Sequence, residues 1–390
     1  MKRLLLISSR NLYNTSGELR LVKNRTETLL NKYQVSTDFV VLKAKKVLRK
    51  PQEEIPNRSY KLFTHQIYDF KVREREMFHY LKDLIARQEE PFTAIVLSGV
   101  LVIPLVTKLK ELTPSTKFFA DLHGAFEELI EFPDKSLVKD LGRKAYYRIA
   151  KRNEKRYLKE FDGFYSVSNA LKNYIETEYQ IQGKPFFIIP CGIPQTEVEV
   201  ESSLANRTLF RSKYGLEKND ILFIYSGGVS PWQCIEESVK MFERLKSNTS
   251  KRVKLLLLSG NKAAIERFKS EDVFIDSYSG EEVRKVLCAG DFAFMLRQDL
   301  VTNNVAYPNK FLEYVSAGLQ VISTTAVRDI AEQIMQYKVG HIVDLNGEIE
   351  PQWLESFVPY LQDAEQRNAL LKATSFETTL APFVEFIEKR

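Results

Sequence analysis

The chain has 390 residues, 44% of them hydrophobic and 28% charged, with 25 Phe, 18 Tyr and 2 Trp. At about 150 residues per domain this length allows two or three domains, and the apolar fraction excludes wholesale disorder. The net charge of +6 hides an asymmetry: residues 1–190 carry 34 Lys+Arg against 23 Asp+Glu (+11), and residues 191–390 carry 23 against 28 (−5).

Halves of opposite sign suggest two domains facing different partners and argue against a small, basic DNA-reading module. The three cysteines (Cys191, Cys234, Cys288) are too scattered for a disulfide framework or a zinc pattern, which favours a reducing compartment. The apolar stretch after Met1-Lys2-Arg3 is too short for a signal-peptide core. The longest apolar run, Ala94 to Val106, falls well under the roughly 20 residues that cross a bilayer. A cytosolic location is expected.

Along the chain, short apolar runs alternate with longer periodic segments. Leu4–Ile7 reads as a strand, Glu18–Lys32 as a helix, Thr37–Leu42 as a strand and Lys45–Ser59 as a charged surface loop. A helix over Tyr68–Gln88 precedes strand Thr93–Ser98, helix Ile103–Leu112, strand Lys117–Ala120 and helix Lys139–Glu160. Gly163–Val167 and Phe186–Ile189 close the first half as strands. In the second half the strands are Ile221–Tyr225, Val253–Leu258, Val273–Ile275, Phe292–Leu296, Gln320–Ser323 and His341–Val343. Continuous apolar runs imply strands covered on both faces, hence parallel sheets. Two series of six imply an α/β fold of two Rossmann-like domains, joined near Pro190-Cys191-Gly192-Ile193-Pro194. The last residues, from Ala364, read as helices only.

Ligands of open parallel sheets sit outside the carboxyl ends of the strands, so motifs there carry the most weight. One is Tyr225-Ser226-Gly227-Gly228-Val229-Ser230-Pro231-Trp232-Gln233. Its glycines admit close backbone approach, and Ser230 and Pro231 fit a helix start able to hold phosphate oxygens; a simple tight turn explains the glycines equally well. A second runs from Arg297 to Gly318 and contains a helix starting near Pro308, with Lys310 and Glu313 three apart on one face. A carboxylate there suits a ribose diol, and Lys310 or Arg297 a diphosphate, although Glu near a helix start also simply balances the dipole.

The segment P-N-K-F-L-E-Y-V-S-A-G-L-Q-V-I resembles the nucleotide-sugar-binding segment of glycosyltransferase family 4, whose fold is GT-B. Ser16-Gly17-Glu18 resembles that family's N-terminal glycine loop. Asp121-Leu122-His123-Gly124, the Asp162–Leu171 strand and helix start, and Ile188–Ile193 also fall in its order and spacing. The resemblance spans residues 1–345. It implies two Rossmann-like domains facing an interdomain cleft: 1–190 for the acceptor, 191–365 for the donor, and a C-terminal segment, 366–390, returning to the first domain. It also implies retaining transfer from a nucleotide-diphosphate sugar, with no cofactor and no essential metal. Glu313 would bind the ribose. Gly227, Gly228 and the N–H groups around Pro308, Asn309 and Lys310 would lie against the diphosphate. His123 and Gly17 would face the sugar and leaving group.

Two departures stand out. Val305 occupies the place of the family's first Glu, and Gly228 and Gln233 the places of its Arg and Lys. Arg297 and Lys310 are therefore expected to supply the missing charge, and Asn303 and Asn304 to bind the sugar in place of the Glu. His65, His79, His341, Cys234 and Cys288 are read as structural, and Cys191, at the joint, has no predicted base beside it. The segment Lys139–Lys159 holds nine Lys/Arg against two acids, with Leu141, Ala145, Ile149 and Leu158 broadly opposite the cations. A solvated face is one reading and an anionic membrane surface the other, with Lys43, Lys45, Lys46, Arg49 and Lys50 extending the patch. The expected partners are a sugar nucleotide and a glycan or polyprenyl-linked acceptor in bacterial surface polysaccharide synthesis, with no nucleic acid. A GT-B-like accessory subunit without catalysis is the alternative, and a sugar-nucleotide epimerase a more distant one.

Overall fold

The computed structural model describes residues 2–10, 17–44, 60–66, 68–193, 204–345, 352–357 and 364–389. The chain divides into two compact units, Met1–Pro190 with Phe376–Arg390, and Cys191–Ser375. The return to the first unit thus begins at Phe376, later than residue 366.

The first unit holds a seven-stranded parallel sheet, one strand more than expected. Its strands are β1 (Lys2–Ser8), β2 (Val35–Ala44), β3 (Tyr60–His65), β4 (Ala94–Ser98), β5 (Lys117–Leu122), β6 (Gly163–Ser166) and β7 (Phe186–Ile188). Their order is β3-β2-β1-β4-β5-β6-β7. The extra strand is β3, an edge strand with no buried residue. Its sequence YKLFTH lacks the continuous apolar run that marks a strand covered on both faces. The neighbouring loop expected over 45–59 lies outside the described residues, as do Lys45, Lys46, Arg49 and Lys50.

The C-terminal helix Ala381–Glu388 belongs to this unit because its apolar face completes the core. Phe383 is fully buried and meets Phe119, Tyr165 and Phe187 edge-on, at centroid distances of 5.1, 4.8 and 5.5 Å.

The second unit has six parallel strands: β8 (Ile221–Ser226), β9 (Val253–Leu258), β10 (Val273–Asp276), β11 (Phe292–Met295), β12 (Gln320–Ser323) and β13 (Gly340–Ile342). Their order is β10-β9-β8-β11-β12-β13, and all six match the sequence reading. Phe223 stacks on Phe292 and Phe294 at 5.2 and 5.4 Å in its core. In each sheet the strand order reverses once, between β1 and β4 and between β8 and β11. Such reversals are where crevices form outside the carboxyl ends of the strands. Among the described residues no helix is long and apolar enough to cross a membrane.

Candidate functional site

At the reversal of the second sheet, β8 and β11 pair only through Phe223–Phe292 and Ile224–Ala293, although β8 continues to Ser226 and β11 to Met295. The strands part there, which would strand the backbone polar groups of Ser226. The Tyr314 hydroxyl supplies both partners: it accepts from the Ser226 N–H at 2.9 Å and donates to the Ser226 carbonyl at 3.0 Å. Tyr314 comes from the helix Lys310–Ser316, so the segment carrying Glu313 is fastened to the turn carrying Gly227 and Gly228.

The turn itself is tightly filled. The Tyr225 hydroxyl donates to the Gly228 carbonyl at 2.7 Å, and the Gln233 side chain accepts from the Ser230 N–H at 3.3 Å. A Cβ at Gly228 would lie 2.7 Å from Gln233 Oε1, and one at Gly227 would lie 3.2 Å from the Tyr225 hydroxyl. A side chain at Gly228 would have to displace the end of Gln233, and one at Gly227 would press on the Tyr225 hydroxyl. The helix expected from Pro231 is a single turn, Pro231–Gln233; Cys234 then adopts a left-handed φ of 51° and the long helix starts at Ile235.

Arg297 follows β11 and is 8% exposed. Its Nη1 donates to the Gln233 carbonyl at 3.2 Å and to the Leu296 carbonyl at 2.7 Å. Three arginines are buried among the described residues, and the other two hold carboxylates: Arg25 grips Asp121 and Arg211 grips Asp291. Arg297 has no carboxylate partner there. Burial lowers its pKa, the expected response of a desolvated cation. A buried charge is costly unless paired, so this arginine sits where an anion would complete it.

Lys310 and Glu313 form an ion pair of 2.7 Å, with the lysine side chain one-third exposed and the glutamate buried. Pro308 and Asn309 lead into this helix, and Asn309 takes the cap position. Asn303 is buried and donates to the Gln298 carbonyl at 2.9 Å, while Asn304 keeps a buried Oδ1 without a hydrogen bond. Val305 is buried. The structure thus brings Gly227, Gly228, Arg297 and Glu313 to one end of one sheet.

His123 lies in the first unit, at the carboxyl end of β5 beside the other strand reversal. Its Nε2 is 2.9 Å from Asp121 Oδ2. Asp121 also takes Arg25 in a two-point grip of 3.1 and 2.9 Å and the Ser98 hydroxyl at 2.8 Å. Arg10 Nε donates to that hydroxyl at 2.9 Å, and its Nη1 meets Glu18 at 3.2 Å. The strand ends pack closely enough that a Cβ on Gly99, whose φ is +99°, would sit 2.3 Å from Ser9 Oγ. Burial raises a carboxyl pKa, but the Arg25 guanidinium and His123 outweigh it and hold Asp121 well below the ordinary range. Burial, then the charge of Arg10, lowers His123 against the pull of Asp121. A neutral His123 donating Nε2–H to the carboxylate leaves Nδ1 as an acceptor for a hydroxyl. Sequence reasoning quoted Asp121 without a role and missed Arg10, Arg25, Ser98 and Tyr314. Gly17 opens the helix Gly17–Tyr33, and Ser16 lies outside the described residues.

Among the residues read as structural, His79 is exposed and His65 half-buried. His341 stacks on Trp353 at 4.2 Å and bonds Gln320, and Cys234 and Cys288 are buried. Lys43 donates to the Ser9 carbonyl at 3.4 Å.

No protein-family model and no curated protein matches the sequence. Solved structures do match over the whole chain. A glycosyltransferase from Rickettsia africae aligns with a TM-score of 0.69 at 13% identity, covering 100% of this chain and 98% of its own. WaaG, a glycosyltransferase involved in lipopolysaccharide biosynthesis, aligns at 0.58 and 16%, covering 100% and 98%. An α,α-trehalose-phosphate synthase (UDP-forming) from Burkholderia xenovorans, solved with glucose-6-phosphate, aligns at 0.65 and 13%, covering 99% and 100%. The chain has the GT-B fold.

Proposed function

We propose that this GT-B protein is a glycosyltransferase that moves a sugar from a nucleotide-diphosphate sugar to a glycan or lipid-linked acceptor with retention at the anomeric carbon. The observation that carries the reading is Arg297, a buried arginine with no carboxylate partner among the described residues, bonded to the turn that carries Gly227 and Gly228. In the family this chain resembles, that turn bears an Arg and a Lys of its own. Here Gly228 and Gln233 stand in those places, and Arg297 reaches the Gln233 carbonyl from the next strand.

Breaking the glycosyl–phosphate bond develops negative charge on the leaving diphosphate. A cation already fixed in a desolvated site stabilises that charge without reorganising. Arg297 takes this role, and Lys310 joins it on leaving Glu313 for the phosphates. Glu313 then accepts from the ribose hydroxyls. His123 offers Nδ1 to a sugar hydroxyl, and Asn303 and Asn304 lie on the donor side. The acceptor hydroxyl attacks the anomeric carbon on the face the diphosphate leaves, and a diphosphate oxygen takes its proton. No cofactor or essential metal enters this scheme. The fold match to sugar transferases, including a UDP-forming synthase, supports this reading.

A panel of sugar nucleotides, each assayed for released nucleoside diphosphate with and without chelator, tests it. One donor is expected to turn over, insensitive to chelator and abolished by Glu313→Ala, with the anomeric configuration retained by NMR. Donor-induced thermal stabilisation without release from any donor, whatever acceptor is added, would instead establish a binding subunit. The buried Val305, where the related motif has a carboxylate, is the observation on that side.

A further inference from the structure

A surface helix ordinarily buries its apolar stripe and turns its charges outward. The helix Leu137–Tyr157 does the reverse with part of its sequence. Leu137, Val138 and Leu141 are 82%, 80% and 66% exposed, and Ala145 and Ile149 are exposed as well. Of the apolar residues expected opposite the cations, Leu158, just past the helix, is buried, whereas Leu141, Ala145 and Ile149 stay outside the core. Both acids of the helix are buried: Asp140 bonds Lys144 at 2.8 Å, and Glu154 accepts from the Tyr179 hydroxyl. The exposed charges that remain, Lys139, Lys144, Arg148, Arg152, Lys155 and Arg156, are all cationic.

At 3.6 residues per turn, Leu137, Leu141, Arg148, Arg152 and Lys155 fall within one arc. That outward face is apolar in its first turns and basic in its last. None of its exposed positions carries a carboxylate, amide or hydroxyl other than Tyr146.

We propose that this face lies on an anionic lipid surface, with Leu137, Val138 and Leu141 in the interfacial zone and the later cations against the headgroups. Charge and chemistry select that occupant. A protein partner would call for uncharged hydrogen-bonding groups at the rim. A nucleic acid would make no use of three bare aliphatic side chains. A lipid interface takes both halves, because apolar area and attraction to anionic headgroups add in binding amphipathic helices. Long basic side chains can bury their stems while the charged ends stay wet.

The test is sedimentation of the full chain with phosphatidylcholine vesicles, with and without 30% phosphatidylglycerol, at two salt concentrations. Binding is expected only with the anionic vesicles and weaker at high salt. Arg148→Ala/Arg152→Ala/Lys155→Ala should lower the partition coefficient by about a hundredfold. Leu137→Ser/Val138→Ser/Leu141→Ser should lower it at least tenfold with charge unchanged. Leu141→Trp should show a blue-shifted emission with anionic vesicles alone. The substituted positions are exposed, so unchanged melting curves confirm that the variants fold. Equal binding to both vesicle types, no binding, or wild-type binding by both triple variants would overturn the proposal. So would a dimer in sedimentation velocity that the serine variant dissociates while vesicles are ignored. The assay needs no donor, so its outcome is separate from that of the transferase reading.

Discussion

The hydroxyl of Tyr314 occupies the hydrogen-bonding place that a neighbouring strand vacates at Ser226, accepting from its N–H at 2.9 Å and donating to its carbonyl at 3.0 Å. One side chain thereby holds open the crevice between β8 and β11 and positions the helix bearing Glu313. Tyr314→Phe leaves two buried backbone groups without partners, each worth about 1–3 kcal/mol. We expect a loss of roughly 3 kcal/mol in urea denaturation, and a raised KM for the donor because Glu313 loses its anchor.

Arg297 separates stability from activity. Arg297→Met removes a buried cation that has no carboxylate partner among the described residues, so the protein should melt at or above the wild-type temperature. Donor turnover should fall by about 10²–10³-fold, the usual effect of removing one fixed donor from developing charge. Near-normal turnover by both Arg297→Met and Lys310→Ala would show that the positive charge is supplied from elsewhere.

The Lys310–Glu313 pair, 2.7 Å apart, makes a different prediction. Glu313→Gln keeps the shape but loses the charged acceptor for a ribose diol. Donor KM should rise by about tenfold or more while kcat changes less, and the penalty should shrink with a donor lacking a ribose hydroxyl.

In the first unit, Asp121→Ala should be severely destabilising, on the order of 3–5 kcal/mol, because it abandons the buried Arg25. Asp121→Asn is the more informative change. It can offer an N–H where His123 now donates, which favours the other ring tautomer. A loss of kcat in a variant that still melts cooperatively would identify the tautomer as functional, and unchanged kcat would make Asp121 purely structural.

A pH dependence follows from Glu154. Burial pushes its carboxyl up to about 7, against the Tyr179 hydrogen bond and the charge of Lys151. The folded protein therefore keeps a proton that the unfolded chain releases near 4.5. The stabilisation is full below that value and is lost as pH rises towards 7, amounting to about 3 kcal/mol. Glu154→Gln should remove this decline when denaturant midpoints are compared from pH 4.5 to 7.5.

Much of the fold was legible because apolar runs of strand length are local signals. The six strands of the second unit were found from them, whereas β3 escaped because an edge strand need not be apolar on both faces. The Gly227-Gly228 turn and His123 were placed at strand ends from sequence position alone, and the structure has them there, with Glu313 in the helix expected after Pro308. The sequence did not reveal that Tyr225 and Gln233 use up the space beside the glycines, nor that Tyr314 substitutes for a strand.

The sequence by itself determined two parallel-sheet units, their charge imbalance and the strand-end motifs, since periodicity and composition act over neighbouring residues. Only the tertiary structure decided which charges are answered. It pairs Arg25 with Asp121 and Arg211 with Asp291, and leaves Arg297 at the parting of β8 and β11 without a carboxylate among the described residues. It also turns Leu137, Val138 and Leu141 outward while burying Asp140 and Glu154. Burial and pairing depend on groups brought together from distant parts of the chain, and no local pattern encodes that meeting.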